Sequence, residues 1–165
     1  MIKIYQAGPL FTLAERFFNR ALRDALVARR YSVFLPQESE DNINHRGDHE
    51  KIALSDLAAV QNCDVLLANL DGAQVDDGTA LEVGMARALG KITIGYRTDF
   101  RVCGDDPELH VNLMFRLMDH VIQFSSLEND WESSLEYFEE KCFTDLAYLI
   151  DKQIKSKMKK APRGA

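Results

Sequence analysis

The segment from Asp71 to Gly84, DGAQVDDGTALEVG, concentrates carboxylates and glycines between a β-rich run and a stretch of helical period. Free backbone N–H groups and the helix dipole favour negative charge at the first turn of a helix. We therefore expect Glu82 to be ionised. An ionised carboxylate can attack an anomeric carbon that has oxocarbenium character, as in retaining glycosidases. Asp76, six residues upstream, would then protonate or hydrogen-bond the leaving group.

Within this segment, the tetrapeptide from Thr79 to Glu82 also fits a capping box of the form S/T-x-x-E. In that alternative the Glu82 side chain only closes onto the Thr79 backbone N–H, and the tetrapeptide alone does not decide between the two interpretations. Gly78 and Gly84 favour the functional one. A glycine inside a helix costs on the order of 1 kcal/mol relative to alanine, so Gly84 suggests that a substrate, helix or subunit packs closely there.

A second candidate segment, Tyr5 to Phe11 (YQAGPLF), lies between the first strand and the first helix. A dinucleotide-binding protein would have G-x-G-x-x-G at this place. Gly8 followed by proline instead makes a tight turn that leaves room for a flat ligand but gives no cradle for a pyrophosphate, which argues against NAD and FAD. The simpler alternative is a strand-to-helix turn with Tyr5 half-buried in the sheet.

Four further positions have both a functional and a structural interpretation. Asp56 lies on the second predicted helix and would either orient a bound base or remain a solvated carboxylate. Gln37 follows the second strand and would offer its amide to a nucleobase edge, unless it is an ordinary loop residue. Asn112 would bind substrate or cap a short helix, and Met114 would bind substrate or fill the core.

Metal and thiol chemistry find little support in the sequence. His45 and His49 lack the H-E-x-x-H order, and the glycine between them makes a helix there doubtful, so we expect solvated loop residues and no metal site. Cys63, Cys103 and Cys142 are widely spaced without a C-x-x-C pair, which suits reduced thiols in a cytoplasm.

The order of elements predicts an α/β fold with a parallel sheet, because β-rich runs alternate with stretches of helical period. We expect a flavodoxin-like or Rossmann-like three-layer sandwich with a five-stranded parallel sheet. The predicted strands are Lys3 to Ala7, Ser32 to Leu35, Val65 to Asn69, Ile92 to Tyr96 and His120 to Phe124. The predicted helices are Thr12 to Arg29, Glu50 to Gln61, Thr79 to Leu89 and about Glu128 to Lys155.

The size and composition fit one globular domain. The 165 residues are 46% apolar and 28% charged, with a formal net charge of −6. The acidic balance argues against a nucleic-acid polymer as partner, and no apolar run is long enough to span a membrane. We expect a single domain over residues 1–155 and a basic, mobile tail over residues 156–165. Residues 36–49 and 97–111 would form loops at the carboxyl edge of the sheet, where open α/β folds bind ligands.

Four motifs together resemble the nucleoside 2-deoxyribosyltransferase family. They are IYQAGPLF, CDVLLANLDG, DDGTALEVGMARALGK and VNLM, in this order along the chain. The resemblance runs from about residue 2 to residue 118, and its most specific part is the core D-x-G-T-A-x-E-x-G. The final helix and the basic tail carry none of it.

The resemblance implies a role for each matched catalytic position. Glu82 would be the nucleophile that forms a covalent deoxyribosyl ester, Asp76 would assist the base, and Tyr5 would position the nucleophilic carboxylate. Asp56, eight residues before Asp64, would belong to the base-binding end of the site.

The remaining matched positions would bind substrate. Gln37 would meet the base, and Gly8 and Gly78 belong to the motifs that line the site. Asn112 and Met114 match an N-L-M segment that a neighbouring subunit donates in this family, which implies a homo-oligomer.

The implied reaction is retaining ping-pong transfer of 2-deoxyribose between nucleobases, with 2′-deoxynucleosides and free bases as substrates and without cofactor or metal. The first alternative is a 2′-deoxynucleoside 5′-monophosphate N-hydrolase, whose first loop is rich in glycine, serine and arginine, unlike AGPLF here. The second is a non-catalytic nucleotide-binding module. The choice between purine-only and broader base specificity, and between tetramer and hexamer, stays open at this point.

Overall fold

A computed structural model describes residues 1–39, 48–124 and 141–160 of the chain. Five strands are present in this part of the chain: β1 Lys3–Ala7, β2 Ser32–Phe34, β3 Val65–Asn69, β4 Ile92–Arg97 and β5 His120–Gln123. The α-helices are α1 Leu13–Ala28, α2 His49–Asn62, α3 Asp77–Ala88 and α4 Cys142–Lys160. Short 3-10 helices cover Pro36–Glu38 and Leu113–Leu117.

The strands form one sheet in the order β2-β1-β3-β4-β5, and every pair is parallel. This is the flavodoxin-like order, in which the direction of winding reverses between β1 and β3. The register there pairs Tyr5 with Leu66 and Ala7 with Ala68. The predicted fold class is therefore confirmed, and the strand order identifies the β1–β3 crevice as the place where such folds bind ligands.

The two faces of the sheet carry separate hydrophobic layers, because successive strand residues point to opposite sides. All five residues of β3 are buried, as expected for a central strand covered on both faces. One layer is built on α1 and α4, which contribute Leu22, Leu26, Leu146, Ile150 and Ile154. The other is built on α2 and α3, which contribute Val60, Val83 and Ala86. The result is the expected three-layer sandwich.

The helix starts follow capping side chains. Thr12 caps α1 and forms a capping box with Glu15. The side chain of each residue accepts a hydrogen bond from the backbone N–H of the other. Asp48 caps α2 by accepting from the Lys51 backbone N–H. Helix α3 begins at Asp77, two residues before the predicted start at Thr79, because Asp76 and not Thr79 is its N-cap.

The last helix can be compared with its prediction only from residue 141 onward, and there it differs at its C-terminal end. Residues 128–140 of the predicted helix, including Trp131, Leu135 and Phe138, lie outside the described residues. Helix α4 then continues to Lys160, past the predicted end at Lys155, so the first half of the predicted tail is helical. Within the described ranges, no helix is both long and apolar enough to cross a membrane. The three cysteines carry free thiols.

Candidate active site

Glu82 and Tyr5 are joined by a short hydrogen bond between α3 and β1. The Tyr5 hydroxyl donates to Oε1 of Glu82 over 2.5 Å. The tyrosine is fully buried, and its ring stacks on Phe34 of β2 at 5.4 Å between centroids and 14° between planes. Because the ring is buried and stacked on Phe34, the hydroxyl holds the carboxylate in one orientation.

The capping-box alternative for Glu82 is wrong. Oδ2 of Asp76 accepts the backbone N–H of Thr79 and its hydroxyl, both over 2.9 Å, so Asp76 satisfies the start of α3. Gly78 makes room for this cap, since a Cβ there would lie 3.3 Å from the same oxygen. Glu82 therefore lies one turn further into the helix and directs its side chain to Tyr5.

The expectation that the helix start keeps Glu82 ionised is also wrong. The pKa of Glu82 is raised from 4.5 to about 7 as the net result of burial, which raises it most, the hydrogen bond from Tyr5, which lowers it, and the charges of Asp56 and Asp76, which raise it. The dipole effect is confined to the first turn of a helix, and Glu82 lies beyond that turn. Near neutral pH the carboxyl is consequently poised between its acid and its carboxylate forms.

Tyr5 acts as a donor over the whole physiological range. Burial, followed by the charge of Glu82, raises its pKa far above the ordinary value. The phenol therefore keeps its proton, and the proton in the bond to Glu82 stays on the tyrosine oxygen. This agrees with a residue that orients a carboxylate.

Asp56 belongs to the same cluster. It lies half-buried on α2, and its charge raises the pKa of both Glu82 and Tyr5. A carboxylate directed to solvent would be screened from buried groups, so the alternative of a purely solvated helix residue does not hold. Asp56, Asp76, Glu82 and Tyr5 together form what we call the carboxylate cluster.

Both the nitrogen and the oxygen of the Gln37 side-chain amide form hydrogen bonds with residues of α1. Its Nε2 donates to the Arg16 carbonyl over 2.9 Å, and its Oε1 accepts from Nδ2 of Asn19 over 3.1 Å. The amide keeps one further hydrogen and one further lone pair for a ligand, so its contact with a base stays a prediction. The structure shows how Gln37 is held.

Asn19 is a residue that sequence reasoning missed. It is 3% exposed, and its Nδ2 also donates to the Pro9 carbonyl over 2.9 Å. The backbone carbonyl of Asn19 accepts a hydrogen bond from Nε2 of the buried Gln6 over 2.9 Å. The side chain thus joins α1 to the turn after β1 and to Gln37. In the sequence, Asn19 could have been found as a polar residue on the otherwise apolar face of the first helix.

Gly8 is required by close packing of that turn against the central strand. A Cβ at this position would lie 3.1 Å from Cβ of Asn69 at the end of β3. This distance is tighter than ordinary van der Waals contact. The glycine therefore brings the β1–α1 turn close to β3, at the edge of the crevice where a ligand would lie.

Asn112 and Met114 do not reach the carboxylate cluster within one chain. Oδ1 of Asn112 accepts the Met114 backbone N–H over 3.0 Å, so it caps the 3-10 helix, as one interpretation predicted. Met114 is 60% exposed, so its interpretation as core filler is wrong. Both residues line a cavity of about 800 Å³ together with Ala80 and Gly84 of α3.

This cavity lies on the far side of α3 from Glu82. At about 100° per residue, Ala80, Gly84 and Arg87 share one helix face, and Glu82 is turned roughly 150° away from it. The cavity contains none of the carboxylate cluster, so we place the chemistry at the cluster. Apart from its chain neighbours and the backbone of α3 itself, no atom of the described residues lies within 4 Å of a Cβ built on Gly84, so the close packing expected there is not found among them.

No group of three or more metal-ligating side chains occurs in the part of the chain that the structure describes. His49 opens α2, and His45 lies outside the described residues.

The topology and the carboxylate cluster define a class of protein, the flavodoxin-like α/β domains that bind a ligand at the β1–β3 crevice. The family is narrower. Residues 4–114 match the family described as nucleoside 2-deoxyribosyltransferase, and the chain belongs to it. Its members are enzymes that transfer or hydrolyse glycosyl groups.

Solved structures share this fold. A conserved protein from Enterococcus faecalis V583 is 28% identical with a TM-score of 0.62, and the match covers 86% of this chain and 99% of that chain. A 2-deoxyribosyltransferase from Leishmania mexicana is 23% identical with a TM-score of 0.60 over the same shares. One from Bacillus psychrosaccharolyticus is 22% identical with a TM-score of 0.58, covering 80% of this chain and 89% of that chain.

A sequence relative of unassigned activity is an uncharacterised protein from Ureaplasma parvum serovar 3. It is 33% identical over 100 residues. The match spans 62% of that protein and 54% of this chain, less than two thirds of the relative's length.

Proposed function

We propose that this protein transfers 2-deoxyribose from a 2′-deoxynucleoside to a free nucleobase, with Glu82 as the nucleophile. The observation that carries the proposal is the 2.5 Å hydrogen bond from Tyr5 to Oε1 of Glu82 inside the carboxylate cluster. The bond leaves the second carboxylate oxygen to face a reacting carbon, and the pKa of about 7 makes the charged form available at neutral pH.

The reaction proceeds in two displacements at the anomeric carbon of the sugar. The free oxygen of Glu82 attacks this carbon, the bond to the base nitrogen breaks, and its electron pair leaves with the base. Asp76 relays a proton, taken up from solvent, to the departing nitrogen. An acceptor base then attacks the same carbon and loses its N–H proton through Asp76 to solvent, and Glu82 leaves as a carboxylate. Two inversions restore the configuration.

The other residues of the site divide between the base and the sugar. Asp56 and Gln37 lie on the elements that follow β2 and precede β3, and we assign them to the base. Gly8 and Gly78 keep the surrounding backbone close. No cofactor or metal has a role in this scheme.

The position of Asn112 and Met114 supports a shared site in a homo-oligomer. They lie across α3 from the Glu82 of their own chain, and Met114 is exposed. We propose that they cover the sugar in a neighbouring subunit's site.

The alternative, hydrolysis of a 2′-deoxynucleoside 5′-monophosphate, is less well supported. In a flavodoxin-like fold, the N-terminus of α1 is where backbone N–H groups would bind a phosphate. Here Oε2 of Glu15 accepts the N–H groups of Phe11 and Thr12 over 2.9 and 2.7 Å. The bonds from this backbone hold the pKa of Glu15 below its usual range, so the site already holds a negative charge.

Incubation with deoxyinosine or thymidine plus free adenine, followed by chromatography, tests the proposed function. We expect new deoxyadenosine that depends on both donor and acceptor. Release of free sugar from a deoxynucleoside 5′-monophosphate, with no transfer for any pair of donor and acceptor, would contradict it and favour the hydrolase. A ligand bound without turnover would favour the binding module.

A further inference from the structure

Arg97 is a buried cation that no motif of the sequence indicates. It is the last residue of β4, and its side chain is fully buried. Nη1 donates to the carbonyls of Leu70 and Gly72, the latter over 3.1 Å, and Nη2 donates to the Arg101 carbonyl over 3.1 Å. Oδ2 of Asp99 lies 3.7 Å from Nη2. The guanidinium therefore joins the loop that follows β3 to the loop that follows β4.

A second set of bonds closes the same two loops from the opposite direction. The carboxylate of Asp71 accepts the Thr98 backbone N–H over 2.5 Å, its hydroxyl over 2.6 Å and the Asp99 backbone N–H over 2.9 Å. The Gly72 backbone N–H in turn donates to Asp99 over 3.1 Å. The start of the β3–α3 loop, residues 70–72, is thus held through the carbonyls of Leu70 and Gly72, through the Asp71 carboxylate, which accepts, and through the Gly72 backbone N–H, which donates.

This loop leads directly into the carboxylate cluster. Four residues after Gly72 it reaches Asp76, whose carboxylate starts α3, and the second turn of α3 carries Glu82. An apolar side chain of similar volume would fill the Arg97 position without the cost of burying a charge. The guanidinium is the group that can bond several carbonyls of two loops at once, because its donors lie in a fixed planar fork.

We propose that Arg97 is a positioning residue, which sets the path of the β3–α3 loop so that Asp76 caps α3 beside Glu82. It touches no substrate and acts through the carbonyls of Leu70 and Gly72. The inference rests on the proposed function for its catalytic consequence, but the positioning itself is a property of the fold. A displacement of about 1 Å in a reacting group can cost about 100-fold in rate.

The test compares Arg97→Met with a control at Arg101, an arginine of the neighbouring loop that bonds Asp99 but is largely exposed. We expect Arg97→Met to lower kcat about 10- to 100-fold with little change in KM, and Arg101→Met to change neither. Arg97→Lys keeps the charge but lacks the fork, so we expect an intermediate kcat. If Arg97→Met does not fold, Arg97→Lys is the variant that tests the proposal.

Two readouts separate positioning from a loss of general stability. The charge of Asp76, like that of Asp56, raises the pKa of Glu82, whereas the Tyr5 hydrogen bond lowers it. If Asp76 moves away, the acid limb of the pH–rate profile should shift to lower pH. Hydrogen exchange should increase in residues 71–80 of the folded Arg97 variants and stay unchanged in β1.

The outcomes are distinguishable from a failure of the proposed function. Faster exchange confined to residues 71–80 supports the positioning role even if no deoxyribosyl transfer is found. Unchanged exchange, a wild-type pH limb, or equal effects at Arg97 and Arg101 would overturn it.

Discussion

The two faces of helix α3 differ in how completely one chain fills them. The inner face carries Glu82, which Tyr5 binds over 2.5 Å and whose pKa reflects burial and two neighbouring carboxylates. The outer face carries Ala80 and Gly84, which border a cavity of about 800 Å³. Outside α3 itself, no atom of the described residues approaches within 4 Å of a Cβ built on Gly84.

Helix α3 therefore lies between the two groups of residues predicted to bind substrate. The proposed nucleophile, Glu82, and Tyr5, which binds it, both lie on the inner face of a single chain. Asn112 and Met114, which the resemblance assigns to the sugar, lie by the outer face. In the proposed assembly, the outer-face residues of one chain therefore serve the inner face of another.

The largest expected effect comes from Glu82→Gln on the inner face. We expect kcat/KM to fall roughly a thousand-fold or more, because an amide cannot form the sugar ester. The matched control is Asp77→Asn, which removes a carboxylate from the cavity side of the same helix and should change the rate little. Steady-state transfer rates decide the matter, and similar losses at both positions would erase the distinction between the faces.

The same variant has a predicted effect on stability. The folded pKa of Glu82, about 7, exceeds its ordinary value of 4.5, so the folded state binds this proton more tightly than the unfolded state. The contribution to stability is complete below about pH 4.5 and is lost as pH rises through about 7. Between these values, thermal melts of the wild type should lose stability relative to Glu82→Gln. A constant difference across this range would contradict the raised pKa.

Asn112→Ser probes the connection between the two faces. Serine retains an oxygen for the N-cap, so the 3-10 helix should persist, whereas a substrate contact would be lost and the rate should fall about 100-fold. Oligomers mixed from Asn112→Ser and Glu82→Gln chains should recover part of the activity, since some sites then combine intact residues from both. Mixed oligomers no more active than their parents would show that the site is not shared.

Tyr5→Phe sharpens the description of the inner face. Loss of one hydrogen bond to a charged group corresponds to about 1.5–3 kcal/mol, or about 10- to 100-fold in rate. Since this bond lowers the pKa of Glu82, the acid limb of the pH–rate profile should move upward from about 7. Tyr148→Phe, at an exposed tyrosine of α4, is the control. A limb that stays in place would mean that Tyr5 does not set the charge of Glu82.

Gly84→Ala has the smallest expected effect and tests the outer face. The open space beside Gly84 admits a methyl group, and alanine favours a helix interior by about 1 kcal/mol. We expect the free energy of unfolding in denaturant to rise by that amount with unchanged activity. A loss of stability or activity would instead indicate that a neighbouring subunit packs against this turn.

Much of the fold was predictable because its elements follow local rules. Strands β1 and β3 have the predicted bounds, and in β3 the reason is plain, since a short apolar run is typical of a buried strand. The start of α3 was placed two residues late, because Asp76 and Thr79 are both good capping residues and only the three-dimensional path selects Asp76.

The sequence predicts candidate residues for the site but not their electrostatics. The motifs identify Glu82 and Tyr5, yet the pKa of Glu82 depends on burial and on charges from α2 and the β3–α3 loop. The burial of Arg97 could not be predicted, because arginines are mostly exposed and only the paths of the two surrounding loops bury this one. The engagement of Gln37 by Asn19 likewise depends on packing between distant segments.

The most direct test of the central claim is mass spectrometry of the protein quenched during turnover of a 2′-deoxynucleoside. The account predicts a mass increase of one deoxyribosyl group, located on the peptide that contains Glu82 and absent from Glu82→Gln. An adduct on Asp76 or Asp56, or steady turnover with no adduct at any quench time, would contradict it.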